Sequence, residues 1–141
     1  MTVAALIAWL VTAAGGFYLL GTWLTKGGMR SSRFPKGVIF GHFALAALGL
    51  IVWNVYLVAG TQALAWVAFV LLVPIAALGF TMLARWVPTY RARATVGAGG
   101  GSGANAPAER HLPVVAVGAH GLVAVVTVVI VLLAALGVGP H

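Results

Sequence analysis

The chain has 141 residues, 62% of them hydrophobic and 6% charged, with a mean hydropathy of +1.11. That balance excludes a soluble globular domain, and the lack of cysteine removes disulfides and thiolate chemistry. The net charge of +7 comes from eight Lys and Arg set against one acidic residue. These cations flank apolar runs and form no aromatic-interleaved patch, so they are read as membrane topology and not as a nucleic-acid surface.

Four apolar stretches, at 3–24, 37–59, 63–86 and 113–138, reach the roughly 20 residues that a helix needs to cross a bilayer core. The first has no Lys or Arg before it and offers a poor cleavage context at Thr12-Ala13-Ala14-Gly15, so it is read as helix 1 and not as a signal peptide. A polar loop from Lys26 to Arg33 follows, and Pro35 marks the start of helix 2, as Pro113 does for helix 4. The turn Ala59-Gly60-Thr61-Gln62 leads into helix 3, where Pro74 predicts a kink near mid-membrane. Residues 94–108 are Gly-, Ala- and Ser-rich and read as a flexible linker. The chain thus divides into 1–93 with three helices, the linker 94–108, and 109–141 with the fourth helix of the same bundle.

Lys26, Arg30, Arg33 and Lys36 lie between helices 1 and 2, and Arg85, Arg91, Arg93 and Arg110 lie at or after the end of helix 3. All eight fall on one side of the expected membrane. The positive-inside rule makes that side cytoplasmic and places both termini outside.

The sequence also repeats itself. Gly16-Phe17-Tyr18-Leu19-Leu20-Gly21-Thr22-Trp23 recurs as Gly79-Phe80-Thr81-Met82-Leu83-Ala84-Arg85-Trp86, and Arg33-Phe34-Pro35 with His42 recurs as His111-Leu112-Pro113 with His120. The expected fold is an all-α membrane protein, a four-transmembrane-helix up-down bundle built from two parallel two-helix repeats. Helices 2 and 4 are then diagonal. His42 and His120 lie at matching depth, roughly 10 Å below the basic boundary at 1.5 Å per residue.

An ionisable side chain inside a span is a functional candidate by default. Two imidazoles on diagonal helices have the arrangement needed to ligate the iron of one haem b, each able to give its other ring nitrogen to the carbonyl one turn back, at Val38 or Ala116. Gly41, Gly49 and Gly121 offer small surfaces for close approach, with Gly37 and Gly118 nearby. Arg33, Lys36, Arg85, Arg110 and His111 are available to its carboxylates, beside the helix N-termini. The competing reading is a structural pair that hydrogen-bonds across helices. Zinc lacks the further ligands it requires.

Trp53, Asn54 and Tyr56 either line a quinone pocket, menaquinone being the candidate, or pack the bundle. Trp23, Trp66 and Trp86 suit interfacial belts, and His141 is a free terminal residue. No nucleophile lies near a base, and Glu109 is the only carboxylate side chain, so neither hydrolysis nor ion transport is supported.

Four spans carrying His42 after Pro35 and His120 after Pro113 resemble small di-histidine b-type cytochromes and the quinone-linked membrane-anchor subunits of redox complexes. The Ala-, Val- and Gly-rich wording is similar to that of small four-helix membrane proteins of high-GC bacteria. The resemblance implies a bacterial plasma-membrane protein that passes electrons from a cytoplasmic-side donor to the quinone pool, alongside partner redox subunits, without catalysing bond chemistry itself. The alternative is a cofactor-free accessory or scaffold subunit of a larger membrane complex.

Overall fold

A computed structural model describes residues 1–95 and 107–138. Four long helices, α1 (Thr2–Thr25), α2 (Lys36–Ala59), α3 (Gln62–Thr95) and α4 (Val114–Ala135), form a four-helix bundle, with a short 3-10 helix, η1 (Ala108–His111), before α4. All four are long and apolar enough to cross a membrane. Their outward faces fit lipid better than water: Ile7, Phe17, Ile51, Val70, Phe80 and Leu122 are all exposed.

The starts of α2 and α4 lie where the prolines place them. Pro35 and Pro113 are the residues just before each helix, in extended conformation, so their missing N–H costs no helical bond. Gly60 ends α2 in the left-handed conformation at φ 66°, which lets the chain reverse into α3 almost at once. Helix α2 packs mainly on α3 and α1 mainly on α4, while α3–α4 and α1–α2 close the ring. The backbones of α1 and α3, and those of α2 and α4, do not approach one another, so these pairs are the diagonals.

Helix α3 departs from the sequence expectation. It runs on past Trp86 to Thr95 and holds both Pro74 and Pro88 within one helix. Buried Trp86 and Thr89, with Tyr90 stacked on Trp86 at 5.0 Å, anchor the extension by packing, which outweighs the weak helix preference around Pro88. The expected linker 94–108 is therefore shorter at both ends, since α3 includes residues 94 and 95 and η1 begins at Ala108. Its remainder, 96–106, lies outside the described residues, as does His141.

Two apolar clusters fill the interior. One, towards the end of the bundle where α2 turns into α3, centres on Trp9, Trp53 and Tyr56 among Ala5, Ala65, Ala68, Leu72, Val131 and Ala134. The other joins Trp23, Phe34, Ile39, Trp86, Ala108 and Leu112 at the opposite end. Trp23 and Trp86 are 2% and 7% exposed, so they plug the bundle end and do not form an outward belt, whereas Trp66 is exposed as expected. The α1–α2 connection meets η1 and α3 at this plugged end: the Ala108 N–H donates to Ser31 O at 2.9 Å, and Arg85 Nη1 donates to Arg33 O at 3.2 Å.

Candidate functional site

Between the two clusters lie the histidines. His42 and His120 are each six residues into their helices, roughly 9 Å along the axis, so they stand at equal height. They face one another across the α2/α4 diagonal with ring centroids 6.4 Å apart and planes at 64°. Both are half-buried.

Each ring is held by a neighbouring helix. His42 Nδ1 lies 2.9 Å from Ile75 O on α3, and His120 Nδ1 lies 2.9 Å from Thr12 O on α1. A carbonyl only accepts, so each Nδ1 must carry the proton and donate it. The neutral ring then keeps its lone pair on Nε2. Val38 and Ala116, the carbonyls one turn back, are not used; the expectation of a bond within the same helix is corrected to bonds between helices.

Glycine explains why those carbonyls are reachable. A helical side chain covers the turn preceding it, so the residue four positions on normally shields a carbonyl. Four residues after Thr12 stands Gly16, and four after Ile75 stands Gly79. A Cβ added at Gly16 would come within 3.2 Å of His120 Cε1, and one at Gly79 within 3.4 Å of His42 Cε1. Gly15 also lies against the His120 ring. The sequence reading does not place these glycines of α1 and α3 at the site, although Gly16 and Gly79 open the similar stretches 16–23 and 79–86.

The glycines that were assigned serve otherwise. A Cβ at Gly41 would make ordinary contact with Leu78, and Gly121, Gly118 and Gly37 face open space. Gly49 does permit a close approach, but the group it admits is the Trp9 indole, whose Cζ2 would lie 2.8 Å from a Cβ there.

The polar candidates collect at the plugged end. Arg33, Lys36, Arg85 and His111 are exposed, and Arg110 is half-buried in η1. Glu109, the one acidic residue of the sequence, is fully buried and accepts hydrogen bonds from Ser32 Oγ at 3.0 Å and from the Arg33 backbone N–H. Nearer mid-bundle, Thr12, whose carbonyl holds His120, also meets α4 through its side chain: its Oγ1 lies 3.1 Å from Thr127 Oγ1.

Trp53, Asn54 and Tyr56 do not converge on one pocket. Trp53 and Tyr56 turn into the core, with centroids 4.9 Å apart, while Asn54 is exposed and donates to Leu50 O of its own helix. Trp53 Nε1 is the only buried side-chain polar atom without a hydrogen bond among the described residues.

Neither histidine Nε2 hydrogen-bonds to a described residue. Two free nitrogen donors therefore lie on facing rings. A metal held between the rings would be ligated through these two Nε2 atoms. No protein-family model, curated protein or solved structure matches the chain.

Proposed function

We propose that the chain is a membrane electron-transfer protein that holds one haem b between His42 and His120. A single observation carries the reading: two half-buried imidazoles face each other at 6.4 Å, and each has its Nδ1 committed to a neighbouring helix. That second bond fixes tautomer and ring orientation, as it does in metal-binding histidines generally. Bound haem supplies one-electron chemistry, and the chain supplies ligation, burial and charge, which set the potential. Gly15, Gly16 and Gly79 keep side chains away from the rings. The cations Arg33, Lys36, Arg85 and Arg110 at the near end suit its carboxylates.

The twofold relation of the halves belongs to this proposal. It is supported by the equivalent placing of Thr12 before Gly16 and Ile75 before Gly79, each carbonyl paired with the histidine of a different helix. By the positive-inside rule the basic end is cytoplasmic, so electrons enter from a donor on that side and leave towards menaquinone or another membrane carrier through partner subunits. The setting is a bacterial plasma membrane.

One observation favours the cofactor-free alternative. The histidine–carbonyl bonds already tie α2 to α3 and α4 to α1, which is a sufficient role in an accessory subunit. Titration of the detergent-purified protein with haem separates the two. The electron-transfer reading predicts a saturable Soret shift and a sharp α-band on reduction, both lost in His42→Ala and in His120→Ala. A colourless, fully helical wild type selects the accessory role.

A further inference from the structure

We propose that Ser32 and Arg33 form a carboxylate-binding cradle, and that Glu109 fills it from within as a stand-in for the carboxylate of a ligand. The cradle is built in layers. Trp23 Nε1, at 2.9 Å, and the Phe34 N–H, at 3.0 Å, both donate to Ser32 Oγ. With its lone pairs engaged, the Ser32 hydroxyl turns its own proton to Glu109 Oε2, 3.0 Å away. The Arg33 N–H donates to the other carboxylate oxygen, and Arg85 braces the opposite side of the same residue through Arg33 O. Two directed donors thus converge on one carboxylate, one on each oxygen.

The occupant is the unusual part. Glu109 is the only acidic residue of the chain and is 0% exposed, although such a group is seldom buried unless its site is made for it. It arrives on η1, a single short turn that rests against α1 and α3 across the bundle mouth. In the end plug η1 packs with Trp23, Trp86 and Phe34, and the Ala108 N–H reaches Ser31 O on the α1–α2 connection. Lifting that one turn exposes the two donors at the end of the bundle nearest the histidines. A ligand carboxylate then takes the place of Glu109, bond for bond. The cradle stands independently of the haem reading; only the identification of the incoming group as a haem carboxylate, and not a small soluble acid, rests on it.

Chemical complementation tests the cradle. Thermal unfolding of Glu109→Ala and Glu109→Gln is followed by circular dichroism in detergent, with sodium acetate compared with sodium chloride at equal ionic strength. Acetate is expected to raise the midpoint of the alanine variant by several degrees, in proportion to its occupancy, and to leave the wild type and the glutamine variant unmoved. Adding Ser32→Ala is expected to abolish the gain. If acetate stabilises the alanine variant no better than chloride, whether or not that variant folds unaided, the cradle is refuted.

A second arm identifies the source of the carboxylate by comparing haem with its dimethyl ester. A severalfold preference for the free acid that grows in Glu109→Ala assigns the cradle to a haem carboxylate, whereas acetate rescue without that preference assigns it to a small acid. Absence of any haem binding defeats the electron-transfer reading alone, and the acetate comparison still decides the cradle.

Discussion

Adding one methyl group at Gly16 tests whether the glycines on α1 and α3 position the imidazoles. In Gly16→Ala the new Cβ would lie 3.2 Å from His120 Cε1, inside the roughly 3.5–4.0 Å at which carbon atoms pack comfortably. The ring must retreat by a few tenths of an ångström, carrying Nδ1 away from Thr12 O and stretching a 2.9 Å bond towards the limit of useful geometry. The corresponding distance in Gly79→Ala is 3.4 Å from His42 Cε1, at the edge of ordinary contact, so the ring moves less and its bond to Ile75 O is largely kept.

Global stability is a poor readout of this difference. An interhelical hydrogen bond in a membrane is worth about 0.6 kcal/mol on average, and Ala gains up to about 1 kcal/mol over Gly within a helix. The two nearly cancel. Ligand affinity is the sensitive quantity, because losing the bond that orients a metal-binding histidine costs about 10- to 100-fold. In a haem titration, Gly16→Ala is therefore expected to bind about tenfold more weakly than wild type. Gly79→Ala should stay within about twofold, and Gly121→Ala, which faces open space, should be neutral. Equal losses at Gly16 and Gly79, or a larger loss at Gly79, would refute the reasoning.

Two further predictions concern packing and orientation. Gly49→Ala drives a Cβ to 2.8 Å from Trp9 Cζ2 in the filled core, so it should destabilise by about 1–3 kcal/mol in reversible unfolding, with much of the loss recovered in a Trp9→Leu background. A phosphatase reporter fused after His141 should be active outside the cytoplasm, and cytoplasmic activity would overturn the assigned orientation.

The reach of the sequence follows from which forces act locally. Helix number, the proline-marked starts of α2 and α4, and the equal depth of His42 and His120 follow from hydropathy and chain geometry, which neighbours barely alter. Tertiary choices were less legible. The histidines bond to carbonyls on α1 and α3 because Gly16 and Gly79 uncover them, a relation between residues far apart in the chain. The similar stretches 16–23 and 79–86 both open on these glycines, which is the trace of it in the sequence. Glu109 gave less warning, since a lone acid near a linker ordinarily faces water, and only the donors on Ser32 and Arg33 account for its burial. Packing likewise prolongs α3 through Pro88, where local preference alone would end it.

The spin state and stoichiometry of the iron test the central claim most directly. Electron paramagnetic resonance of the haem-loaded protein, combined with haem and protein quantitation, should give one low-spin ferric centre per chain with two imidazole ligands. That signal should convert to high spin or vanish when either His42 or His120 is replaced by alanine. A high-spin centre in the wild type, or a low-spin signal that survives both substitutions, would contradict the account.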